Sequence, residues 1–167
     1  MQILLPRSDG RLVPLAMKAS PIAPAGTAPA FNRSVYAAAH VVIDPLAATH
    51  PWDGPPAIDW EATLAFRHHL WSLGFRVAEA MDTAQRGMGL DWPGAQELIR
   101  RSLAEARTVE GADLACGAGT DHLSPLDTRS LGDVIGAYEE QVGFVEKHGG
   151  RAIMMASRAL ARVAKSG

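Results

Sequence analysis

The polar residues of this chain that could do chemistry cluster at the ends of short apolar segments. His40 and Asp44 follow the first segment, and Glu79, Asp82 and Thr83 the second. Thr120, Asp121 and His122 follow the third, and Ser157 and Arg158 the fourth. Parallel strands would bring all these ends to one face, where barrels and open α/β sheets bind their ligands. The candidate substrate-binding residues are His40, Asp82, Thr83, Asp121, His122 and Ser157. Thr83 offers a hydroxyl and a backbone N–H to a carboxylate. Asp82 shares strand parity with Ala78 and Ala80, whose small side chains suit a crowded sheet interior. Each has a structural alternative. Asp82 and Thr83 also read as satisfying loop backbone groups, Asp121 and His122 as capping a Gly-rich loop, and His40, in mid-strand, as a satisfied core histidine. Glu79 falls among Phe75, Val77 and Met81 by parity, where a carboxylate is costly unless paired. Arg76, Arg86 and Arg151 are its expected partners.

Other candidates are weaker. His68-His69 resembles a metal pair, but adjacent helical residues point about 100° apart, and both fall on a polar face. Gly117-Ala118-Gly119 does not complete G-x-G-x-x-G, because position 122 is His. There is no P-loop, G-x-S-x-G or paired-Cys zinc motif. No catalytic residue, metal ligand or cofactor is therefore assigned. Cys116, the single cysteine, lies in an apolar run and reads as a buried small hydrophobe. The three lysines are Lys18, Lys147 and Lys165, and none ends a strand. A Schiff-base enzyme needs an amine in a dry pocket, where desolvation lowers its pKa.

The elements that must position these residues repeat. Apolar strands begin near Val35, Phe75, Asp113 and Arg151, 40, 38 and 38 residues apart. Between them lie amphipathic helices over about Trp60–Leu73, Pro93–Arg107 and Leu131–Lys147, with Asp59 an N-cap and Gly74 a stop. Trp60, Leu64 and Trp71, beside Phe66, Leu70 and Leu73, form the first apolar stripe. Ala95, Leu98, Ile99, Leu103 and Ala106 form the second. Leu131, Val134, Ile135, Tyr138, Val142 and Val145 form the third. Alternating strands and helices predict parallel βαβ units. Long loops after strands (44–59, 83–91 and 118–129) mark the working face. Upstream, residues 2–5 and 12–17 flank Asp9-Gly10 as a hairpin, and 19–31 form a Pro/Ala connector. The expected organisation is a leader over 1–33 and a partial (β/α)8 barrel over 34–167, about four units where closure takes eight.

Composition sets the outer bounds. With 47% hydrophobic and 20% charged residues the chain is globular. Net charge −2 and scattered basic residues give no reason to expect nucleic acid as a partner. The start has no signal-peptide pattern and the longest apolar run is too short to span a bilayer, so no membrane partner is expected and the cytoplasm is the expected location.

Ala78-Glu79-Ala80-Met81-Asp82-Thr83-Ala84-Gln85, followed by Gly87-Met88-Gly89-Leu90-Asp91-Trp92-Pro93, resembles the second strand and turn of the dihydrodipicolinate synthase/N-acetylneuraminate lyase superfamily. Ala115 to Thr120 is similar to its third strand, and Gly149 to Ala156 to its fourth. The likeness covers about residues 35–160. Tyr36 to Val42, Ala80 to Trp92 and Ala115 to Leu123 are closer still to a branch described as dihydrodipicolinate synthase family proteins, about twice as long. The resemblance implies a (β/α)8 aldolase acting on a small carbonyl or 2-oxo acid, an oligomer at full length. Its imine lysine would lie on a sixth strand and its tyrosine on a fifth, both beyond Gly167, leaving this stretch inactive alone. Asp82-Thr83 stands where the superfamily has the Thr-Thr that holds a 2-oxo acid carboxylate, which Asp82 would repel. Two other readings remain. One is a metal-dependent isomerase or aldolase, with some of Glu79, Asp82, Asp121 and His122 as ligands. The other is a non-catalytic α/β binding module.

Overall fold

The computed structural model describes residues 2–16, 32–44, 46–47, 57–84, 86–124, 126, 128 and 130–165. The connector 19–31, Lys18 and positions 48–56 of the first long loop lie outside the described residues. The chain is α/β, with a parallel four-stranded sheet, helices and a separate antiparallel hairpin.

The hairpin joins β1 (Gln2–Pro6) to β2 (Leu12–Ala16). Gly10 takes φ +79°, a conformation open to a residue without Cβ. The Asp9 carboxylate accepts from Arg11 N at 3.0 Å and Nε at 2.8 Å. Both strands are almost wholly exposed.

The main sheet runs in chain order: β3 (Tyr36–Ala38), β4 (Arg76–Glu79), β5 (Leu114–Ala118) and β6 (Arg151–Met154), all parallel. Each crossover carries a helix: α1 (Trp60–Ser72), α2 (Trp92–Ala106) and α3 (Leu131–Lys147). A short α4 (Arg158–Val163) follows β6. Asp59, Asp91 and Ser130 cap the three long helices, Ser130 in a reciprocal box with Asp133. Gly74 (φ +82°) and Gly149 (φ +72°) turn the chain at the ends of α1 and α3.

One apolar core holds the layers together. Leu70 and Trp71 of α1, Leu98, Ile99 and Leu103 of α2 and Val145 of α3 pack on Val77, Leu114 and Cys116. The three helices thus lie on one flank of the sheet. The other flank carries the small residues Ala38, Ala78, Ala115 and Gly117 beside Ile153, with a polar group at the strand starts. There Asp113 meets Arg76 at 2.6 Å and the Tyr36 hydroxyl at 3.3 Å, and Arg151 reaches the same hydroxyl at 2.7 Å.

Two helix faces differ from expectation. The buried line of α1 is Thr63, Arg67, Leu70 and Trp71, while Trp60 and Leu64 are half-buried. In α3 it is Val134, Ala137, Gln141 and Val145, leaving Leu131 and Ile135 52% and 57% exposed. In both helices a polar side chain with buried partners takes the inward line, and the apolar count pointed to a neighbouring stripe. Among the described residues no helix is long and apolar enough to cross a membrane.

Candidate functional site

The strand ends meet as the parallel register requires. A cavity of about 290 Å3 opens beyond β4, β5 and β6, lined by Asp82, Arg86, Thr120, Asp121, Met155 and Arg158, among others. It lies at the small end of ligand pockets, which run roughly 300–1,000 Å3.

Arg86 builds its floor. Nε and Nη2 grip Asp121 at 3.0 and 2.5 Å. Nη1 donates to the carbonyls of Ala80 and Gly117, each at 3.1 Å, and Nη2 also to Gln141 Oε1 at 2.7 Å. The guanidinium stacks over Trp92, 5.3 Å from the ring centre. Gln141 Oε1 also accepts from Gly119 N at 2.6 Å, and its Nε2 donates to Asp121 at 3.0 Å. Burial pushes the Asp121 carboxyl up, but Arg86 and Gln141 outweigh it and hold the group below the usual carboxylate value.

The backbone at the end of β4 is shaped for this. Ala80 sits at φ +51°, a left-handed conformation costing a non-glycine residue about 1–2 kcal/mol. Its N–H donates to Glu79 Oε1 at 2.9 Å and its carbonyl accepts from Arg86. Gly117 must be small, because a Cβ there would lie 2.6 Å from the Ala80 oxygen.

The candidate residues divide. Asp82 and Asp121 line the cavity. Asp82 is not a strand residue as its parity suggested. β4 stops at Glu79, Ala80 turns the chain, and Asp82–Ala84 form a 3-10 turn. Thr83 points away and donates to Ala39 O at 3.4 Å. His40 is no core histidine, since β3 ends at Ala38 and the ring lies exposed, stacked 4.5 Å from Phe66. His122 sits beside the cavity. Gln141 Nε2 donates to its Nδ1 at 2.7 Å, so Nε2 carries the ring proton and faces Glu140 at 3.2 Å. Ser157 caps α4, accepting from Leu160 N at 2.9 Å, and lies 2.6 Å from Thr120 Oγ1. Cys116 is fully buried in β5, and burial pushes its thiol up, the state of an inert packing residue.

No three of the candidate metal ligands Glu79, Asp82, Asp121 and His122 gather at one point. Glu79 faces the helices, where Arg67 grips it at 2.9 and 2.7 Å, while Asp121 is held by Arg86 at the strand ends. Arg67, not Arg76, Arg86 or Arg151, is the partner of Glu79. Among the described residues no three His, Cys, Asp or Glu side chains gather as a metal site.

The family described as "Protein of unknown function (DUF993)" matches residues 3–167. The chain belongs to the DUF993 family. No curated protein matches it. Three residues central to this DUF993 chain were not among the sequence candidates for the site: Arg86, Gln141 and Arg67. Gln141 had a readable signal, because Val134, Ala137, Gln141 and Val145 follow a 3.6-residue line. Arg67 continues a similar line from Thr63 to Leu70. Arg86 lies between the Asp-Thr turn and a Gly-rich stretch, with no periodic signal.

Proposed function

We propose that this chain is the front half of a (β/α)8 barrel of the class I aldolase type, acting on a small carbonyl compound or 2-oxo acid in the cavity beyond β4, β5 and β6. One observation carries the reading. The four strands are parallel and in chain order, with the three long helices on a single flank. Barrels grow this way, each crossover moving in the same direction, whereas doubly wound sheets reverse order and place helices on both flanks. The small residues Ala38, Ala78, Ala115 and Gly117, on the flank away from the three long helices, suit the inside of a barrel. The cavity lies at the C-terminal strand ends, where barrel enzymes work.

No lysine lines the cavity among the described residues. Lys147 ends α3 and Lys165 follows α4. On this reading the imine-forming amine comes from a further βα unit. Treatment with pyruvate and cyanoborohydride should leave the mass of the 167-residue chain unchanged. A chain extended through a sixth barrel strand should gain one pyruvyl adduct. An adduct on the shorter chain, or none on the longer, would overturn the assignment.

A second reading is a non-catalytic α/β binding module, which the four-stranded sheet also fits. Sizing separates the two. A half-barrel leaves β3 and β6 as unpaired edges and should self-associate. A binding module should be a cooperatively folded monomer.

A further inference from the structure

The cavity holds two opposite charges that no described residue cancels. Of its four ionised groups, Arg86 and Asp121 neutralise each other in a two-point contact. Asp82 and Arg158 line the same cavity, and neither makes a hydrogen bond or ion pair among the described residues.

Arg158 is held ready. It is the first residue of α4, whose start is tied to the end of β5 through Ser157 and Thr120, 2.6 Å apart. Its guanidinium lies over Gly87, where a Cβ would meet Nη2 at 3.3 Å. A planar guanidinium with unused donors matches a carboxylate in fork geometry. Asp82, ionised, can only accept, and so selects a hydroxyl or an ammonium. A phosphate dianion would face two carboxylates with one uncommitted cation, while a carboxylate bearing a donor group balances both charges. Met155, Ala156 and Ala159 leave an apolar margin for a short carbon chain.

We propose that Arg158 and Asp82 form a two-point clamp for a small carboxylate that carries a hydroxyl or ammonium group beside the reacting carbonyl, Arg158 taking the carboxylate and Asp82 the donor. This deepens the proposed function and rests on its placement of the substrate in this cavity. The carboxylate is held by Arg158 over Gly87 rather than by the Thr83 hydroxyl and N–H.

Titration calorimetry of the 167-residue chain with lactate, alanine, propionate and methyl lactate tests it. Lactate and alanine carry both groups, propionate lacks the donor and methyl lactate lacks the charge. The clamp requires lactate and alanine to bind at least about tenfold tighter than the other two, the scale of one charge-assisted hydrogen bond. Arg158→Gln should bring lactate down to methyl lactate, with Arg158→Lys in between. Asp82→Asn should bring alanine down to propionate. Both residues are exposed, so thermal midpoints should stay at the wild-type value. Equal binding of all four probes, saturable binding by none, or an Arg158→Gln chain that keeps its lactate affinity would overturn the clamp. Imine trapping reports on the aldolase assignment separately. Lactate binding through Arg158 without trapping in the extended chain would leave the clamp standing and remove the aldolase. Trapping with binding indifferent to Arg158 would do the reverse.

Discussion

Two arginine–carboxylate pairs flank the end of β4, and they differ in one respect. Arg67–Glu79 joins α1 to the sheet with both side chains 0% exposed. Arg86–Asp121 joins the turn after β4 to the loop after β5, with Arg86 1% and Asp121 14% exposed. Both are two-point contacts, and each arginine has further carbonyl partners. Arg67 Nη1 donates to His40 O at 2.6 Å and Thr63 O at 3.0 Å. The sealed pair can only fasten layers together. The other has the same chemistry, but its carboxylate edge reaches a cavity, so it sets the shape and charge of a place a ligand can enter. Small differences in access, more than residue type, separate a structural pair from a site-forming one.

Breaking the sealed pair gives the largest expected effect. Glu79→Ala leaves a buried guanidinium without a counter-charge and should cost about 3–5 kcal/mol in urea unfolding. Replacing both partners by Met and Leu should recover most of that loss. A single-mutant cost typical of surface pairs would mean that the pair is not sealed. Asp121→Asn should cost less, about 1.5–3 kcal/mol, because Gln141 stays hydrogen-bonded to Arg86. Its acid dependence carries a sign. Asp121 titrates below its ordinary value of 3.8 when folded, so folding favours the ionised form. That stabilisation is complete above 3.8 and is lost as pH falls through the lowered folded-state value. The difference in stability between wild type and Asp121→Asn should therefore shrink on acidification, and a difference independent of pH would contradict the pairing.

The pairs also share a link, since the Ala80 N–H goes to Glu79 and its carbonyl to Arg86. A double-mutant cycle between Glu79→Gln and Asp121→Asn should show coupling above about 0.5 kcal/mol, beyond the scatter of independent sites. Additive costs would show that Ala80 transmits nothing. The smallest effect belongs to the half-exposed His68–Glu105 pair, 2.7 Å apart. His68→Ala should change stability by less than about 1 kcal/mol, in a salt-dependent way.

Repeating local patterns were the part of this molecule that could be read in advance. The order of elements, the Asp59 cap, the span of α3 and the buried state of Cys116 all follow from periodicity, capping chemistry and apolar runs. The meeting of strand ends followed too, because parallel pairing places Asp82 and Asp121 together whatever their side chains do. Partnerships between distant charges did not follow. Glu79 pairs with Arg67, on the helix before it, because α1 turns a polar line inward, and sequence spacing does not report that rotation. His40 was misplaced for a related reason. Its apolar neighbours extended the apparent strand, but β3 stops at Ala38, Ala39 N makes one last bond to Ala78 O at 3.3 Å, and the chain beyond it hydrogen-bonds to α1, where Val42 N donates to Thr63 Oγ1 at 2.9 Å.

The chain-order arrangement of the sheet bears on how the protein is made. Successive strands start about 40 residues apart, which a ribosome covers in roughly 2–8 s at about 5–20 residues per second. When β4 emerges, β3 is already out, and the same holds for β5 and β6. From β4 onward each strand finds one sheet neighbour already outside the exit tunnel, so docking can keep pace with synthesis, one strand and one helix at a time.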